Sequence, residues 1–230
     1  MPVIVLGCGR SGTNMLLSLM RGSSCLQATK LIEDKRFAGR KRLYPLSYLS
    51  KCDTTYCSPR RLRATLGRNP EMRVLWAIRN PKDICLSKIR RGQPAENGGD
   101  CAAGVLSPDS TAAGCIQSLE KMFELYKGVA TEFGERVLVV KMEDVILTTE
   151  EEARRICIFL SIPFEAAMLD FAARIRHKQK LRRYGAKIDK SQVDLWEQWD
   201  EVYDGFFKDS SIDIEGLFTA VEHITSYFGY

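Results

Sequence analysis

Residues 7–14 read Gly-Cys-Gly-Arg-Ser-Gly-Thr-Asn, directly after the apolar run Val3 to Leu6 and before an amphipathic run that ends near Met20. A strand, a glycine turn and a helix start are the layout of a backbone phosphate cradle, because the first amides of a helix have no partner of their own and point outward. A nucleoside-triphosphate loop of the form G-x-x-x-x-G-K-[ST] adds a lysine for the phosphates and a hydroxyl for magnesium. Here the frame from Gly7 to Gly12 fits, but Thr13 stands at the lysine position and Asn14 at the hydroxyl position. The cation has moved into the loop as Arg10. The residues therefore predict a metal-independent anion site with Arg10 facing the group that moves. The plainer alternative is that Gly9 and Gly12 only permit a tight turn.

A second constellation lies at "AIRNPKDICLSKIRRG". Arg79 leaves the carboxyl end of an apolar strand, where ligands of open α/β sheets collect. Ser87 follows eight residues later in a helix, with Arg91 one turn beyond. An arginine and a serine converging on one oxyanion make a second phosphate pocket. The competing reading is that Arg79 pairs locally with Asp83 and Ser87 is incidental. Two anion pockets without a metal point to a nucleotide phosphorylated at both ends.

These two motifs carry a resemblance. "GCGRSGTN" resembles the 5′-phosphosulfate loop of the sulfotransferases, and "RNPKDICLSKIRR" is similar to their 3′-phosphate motif. "VLVVKMEDVI" resembles the family's third strand, with Glu143 at its acidic position. "YGAKIDKSQVDLW" resembles the late loop of the tyrosyl-protein and related branches, which brings a lysine, here Lys187, to the nucleotide. The resemblance implies 3′-phosphoadenosine 5′-phosphosulfate (PAPS) as donor and 3′-phosphoadenosine 5′-phosphate (PAP) as product, with no metal. It implies that Arg10 stabilises the bridging oxygen. Ser11, Gly12, Thr13 and Asn14 then hold the 5′ phosphate, and Arg79, Ser87 and Arg91 hold the 3′ phosphate. An acceptor hydroxyl also needs a base. In the family's cytosolic branch this is a histidine and in the carbohydrate and tyrosyl-protein branches, which the RSGT loop resembles most, often a glutamate after the first helix. His177 and His223 come too late in the chain, so the resemblance implies Glu33, with Asp34 the fallback. The other reading of Glu33 is a solvated charge beside Lys35 and Arg36.

The elements that must position these residues are an α/β fold of P-loop type, three layers with a central parallel sheet flanked by helices. Val3 to Leu6, Arg73 to Ile78 and Arg136 to Met142 read as buried parallel strands. Residues 14–20, 116–133 and the stripe from Ile214 to Phe228 read as helices, and Thr149 with Glu152 reads as a capping box. One domain over 1–230 is expected, with a long loop at 92–114 and a helical part at 192–230.

The chain has 230 residues, is 45% hydrophobic and carries a net charge of +5, enough for one core and a mild preference for anions. The eight cysteines form no C-x-x-C pair and there are only two histidines, which argues against a zinc site and for a reducing, cytoplasmic setting. If the chain is a lumenal piece of a longer protein, that setting changes. No membrane span and no nucleic-acid motif is found. Basic segments such as "RHKQKLRR" suit either an anionic acceptor or a solvated face, and Tyr44, Tyr48, Trp196 and Trp199 are candidate walls of an acceptor cleft. Glycan, tyrosyl, lipid and small phenol or alcohol acceptors all fit, and the oligomeric state is left open. Two other function classes remain: a non-catalytic nucleotide-binding module, and a P-loop kinase or NTPase.

Overall fold

Five parallel strands form the centre of the computed structural model, which describes residues 1–28, 47–54, 57–92, 110–172, 190–202, 206–208 and 211–230. They are β1 (Val3–Gly7), β2 (Gln27–Ala28), β3 (Tyr48–Asp53), β4 (Arg73–Ile78) and β5 (Val137–Lys141), in the spatial order β2-β3-β1-β4-β5. The chain therefore runs to one side of β1 for β2 and β3, then crosses to the other side for β4. That reversal opens a crevice at the carboxyl end of β1, the place where α/β sheets bind ligands.

The three strands expected from sequence are present, and β2 and β3 join them. "YLSKCD" carries Ser50 and Lys51 in its middle, both buried, so it lacks the continuous apolar run that marks β1 and β4. Its register sets Lys51 beside Val5 and Asp53 beside Gly7, delivering both to the mouth of the glycine loop.

Helices cover both faces of the sheet. Against one lie α1 (Thr13–Met20), α5 (Met142–Leu147) and α6 (Thr149–Leu160), around Val3, Val5, Leu16, Leu19, Leu75 and Ile156. Against the other lie α2 (Pro59–Arg68), α3 (Pro81–Gly92), α4 (Ala112–Phe133) and the last helix, α8 (Ile214–Tyr227), with the single turn α7 (Trp199–Val202) before it. That second core holds Ile4, Leu6, Trp76, Ile78, Leu119, Val221 and Ile224. Each large aliphatic residue taken fully out of water contributes about 1.5–3 kcal/mol, so the sheet is held from both sides. The stripe on α8 is core, as its spacing indicated.

The capping box is not formed. Thr148 is the N-cap of α6 without a side-chain bond, and the Thr149 hydroxyl donates to the Val145 carbonyl at 2.7 Å. Glu152 turns instead to the Arg155 guanidinium (Arg155 Nε to Oε2, 2.7 Å). The preceding helix α5 ends at Leu147, one residue before the cap, so Thr149 back-bonds into that turn rather than capping forward.

Candidate active site

The loop after β1 is shaped by what its glycines allow. A Cβ on Gly7 would overlap the Ser11 hydroxyl and lie 2.6 Å from the Ala77 carbonyl oxygen, so no side chain fits between β1 and β4 there. Gly12 has φ +85°, the left-handed conformation that costs an ordinary residue strain, and it is the cap from which α1 starts. Ser11 is fully buried, and both its N–H (3.2 Å) and its hydroxyl (2.8 Å) donate to the Cys8 carbonyl. These bonds close the turn of the loop. The groups left facing outward are the first amides of α1, beginning at Thr13, with the exposed side chain of Arg10 beside them.

Arg10 also has a positive φ, 74°. This conformation swings its side chain toward α3, where its Nε donates to Ser87 Oγ at 2.8 Å. That one bond joins the two motifs, 77 residues apart.

Arg79 stands at the end of β4, only 4% exposed. Its Nη2 donates to Asp83 Oδ2 at 3.1 Å and to the Gln192 carbonyl at 3.0 Å. Its Nε is buried and meets no hydrogen-bond partner among the described residues. The local Arg79–Asp83 pair weighed against a phosphate role therefore exists, and the guanidinium still has donor capacity to spare. Asp83 is fully buried and also accepts the Trp196 N–H at 2.7 Å. Burial pushes its carboxyl above the ordinary range, against the pull of Arg79 and of the two backbone N–H groups of Trp196 and Leu195. Behind Arg79, Glu143 accepts the Asn80 N–H at 2.9 Å and the Tyr230 hydroxyl at 2.7 Å, which fixes the turn from which Arg79 departs. Burial likewise raises the Glu143 carboxyl, its hydrogen bonds offsetting only part of the effect.

Two cavities meet at these residues. One, of about 290 Å³, runs along the loop past Gly9, Thr13 and Asn14 to Lys51, Asp53 and Met142. The other, of about 230 Å³, is walled by Ser87, Arg90, Leu195 and Val202. Arg10, Arg79, Arg91 and Gln192 line both, so the two anion motifs are the walls of one cleft. Thr13, Asn14, Arg79, Ser87 and Arg91 are thereby gathered as the spacing indicated. Glu33, Asp34, Lys187, His177, Tyr44 and residues 93–109 of the long loop lie outside the described residues. Trp196 and Trp199 line a different cavity of about 370 Å³ with Lys82, Phe218 and Glu222, which contains no residue of the glycine loop.

The sulfotransferase domain family matches residues 1–197. This chain belongs to the sulfotransferase family. Among solved structures, the sulfotransferase domain from the curacin biosynthetic pathway shares the fold with a TM-score of 0.69 at 16% identity, covering 100% of this chain and 98% of the other. The sulfotransferase domain of the Synechococcus PCC 7002 olefin synthase gives 0.64 at 13% identity, covering 100% and 94%. A mouse sulfotransferase complexed with PAP gives 0.53 at 12% identity, covering 94% and 87%. No curated protein matches the sequence.

Within this sulfotransferase domain, sequence reasoning missed Lys51 and Asp53. Both arrive on β3, the strand without an apolar signature. The available signal was a charged pair at i, i+2 in a short segment ahead of a Ser-Pro helix start, which places both on one strand face. Lys51 is 3% exposed and lines the loop cavity.

Among the described residues no group of His, Cys, Asp and Glu is placed to hold a metal ion, and no helix is long and apolar enough to cross a membrane.

Proposed function

We propose that this sulfotransferase moves a sulfuryl group from PAPS to a hydroxyl or amine without a metal. The observation that carries this reading is the Arg10–Ser87 bond, which makes the glycine loop and the Arg79 motif two ends of a single cationic cleft. The residues fit a nucleotide with a phosphate at each end. First-turn amides of α1 with Thr13 and Asn14 face the 5′ end, and Lys51 adds charge there. Arg79, with its buried unpartnered Nε, takes the 3′ phosphate together with Ser87 and Arg91. Lys187 is assigned to the same nucleotide by its place in the late loop.

When bound, the donor supplies an activated sulfuryl group. The chain's own contribution is positioning and the stabilisation of charge that develops as the group leaves, which in dry sites is the larger share of catalysis. Arg10 neutralises charge on the bridging oxygen. Ser87 fixes the plane of its guanidinium, and the Glu143–Asn80 bond holds the turn that carries Arg79. Acceptor classes remain glycan, tyrosyl, lipid and small phenol or alcohol.

Turnover decides between an enzyme and a binding module. PAP release from PAPS, measured in EDTA with water, 2-naphthol, a tyrosyl peptide and a glycan as acceptors, is expected to exceed the uncatalysed rate with at least one of them. PAP binding with no release above background for any acceptor would support the non-catalytic module. Release of ADP from ATP that needs magnesium would support the kinase reading.

A further inference from the structure

We infer that Asp53 is the general base that takes the proton from the acceptor hydroxyl, a role that rests on the sulfuryl-transfer reading above. Among the described residues that line the loop cavity, Asp53 is the one carboxylate. Strand register brings it level with Gly7, and its Oδ2 lies 3.2 Å from where a Cβ on Gly9 would sit, against the backbone one residue before Arg10. Gly9 is thereby explained: a larger residue would press on the carboxylate. The charged groups around it are Arg10 from the loop, Lys51 from its own strand, and Lys88 from α3, whose Cε approaches the same side of Gly9 at 3.8 Å.

A carboxylate in this place works against binding. The cleft is built from Arg10, Lys51, Arg79 and Arg91 to hold anions, and a negative charge beside the loop weakens that hold. Asp53 shares this cavity with Arg10, the arginine that faces the moving group, where a carboxylate is placed to accept a proton. The step balances as follows. The acceptor oxygen bonds to sulfur while the bond from sulfur to the 5′-phosphate oxygen breaks, its electron pair leaving on PAP. The acceptor's O–H proton passes to Asp53 and from there to solvent.

This assignment differs from the sequence expectation of Glu33, and the two are separable. Asp53→Asn keeps the shape and removes the basicity. It is expected to lower turnover by about 10²–10⁴-fold, the range for a lost general base, while the PAP-induced rise in Tm stays equal or grows because a repelling charge is gone. The loss should be larger with 2-naphthol or water than with 4-nitrophenol, whose hydroxyl gives up its proton readily, and formate should restore part of the activity of Asp53→Gly. Glu33→Gln, measured alongside, is expected to keep most of its turnover. Full activity in Asp53→Asn with loss in Glu33→Gln overturns the inference and returns the base to Glu33. Loss of the PAP-induced rise in Asp53→Asn also overturns it, since Asp53 would then be shaping the loop. Wild-type protein that releases no PAP with any acceptor contradicts the proposed function itself, a result distinct from either.

Discussion

Arg10→Ala is expected to reduce turnover with PAPS by about 10²–10³-fold, the scale for removing one preorganised donor from a developing oxyanion, with a much smaller loss of PAP affinity. The split follows from geometry. PAP carries both phosphates but not the sulfuryl group, and the amides of α1 with Arg79 and Arg91 are untouched by the substitution. Arg10→Lys is expected to recover only part of the rate. The arginine is held by Ser87 through Nε and presents a planar fork of donors, whereas an ammonium is a single point of charge without that fork. The positive φ at position 10 burdens alanine and lysine alike, so the difference between them reports the side chain. Measured kcat with PAP-binding isotherms for both variants checks this. Equal losses in kcat and in PAP affinity would make Arg10 a binding residue only.

The largest loss of stability is expected from Asp83→Ala. Asp83 is fully buried, paired with a guanidinium that is itself 5% exposed, and it holds the Trp196 N–H at the start of the helical tail. Removing one partner of a buried pair leaves the other charged and dry, which costs about 3–5 kcal/mol. For a domain of this size each kcal/mol moves Tm by about 2–4 °C, so a fall of about 6–20 °C is expected by calorimetry. A pH dependence accompanies it. Burial raises the folded-state pKa of Asp83, so its contribution is fully present below the unfolded value of about 3.9 and is lost as pH rises through the raised value. Asp83→Asn should therefore flatten the wild-type decline in urea midpoint over that window. Glu143, raised by burial in the same direction, leaves a similar decline of its own in either protein.

What was legible in the sequence was whatever periodicity or spacing writes directly. Uninterrupted apolar runs marked β1, β4 and β5, and the eight-residue step from Arg79 to Ser87 marked a strand end facing a helix. β3 went unread because buried Ser50 and Lys51 interrupt the apolar run that marks the other strands. That the Ser11 N–H and hydroxyl both reach the Cys8 carbonyl is visible only in the folded loop. The Thr149 and Glu152 pattern failed since a helix just upstream offered Thr149 a nearer acceptor. Long-range partners such as Gln192 with Arg79, or Tyr230 with Glu143, have no local signal at all.

The central claim is a cleft built for a nucleotide phosphorylated at both ends. Thermal unfolding with PAP, with AMP, and with ATP plus magnesium tests it most directly. At about a hundred times its dissociation constant a native-state ligand adds about 2.7 kcal/mol, a rise of about 5–10 °C for this chain. The account predicts that rise with PAP in the presence of EDTA and little with AMP, which lacks the 3′ phosphate proposed to meet Arg79. A rise with ATP and magnesium and none with PAP would contradict it.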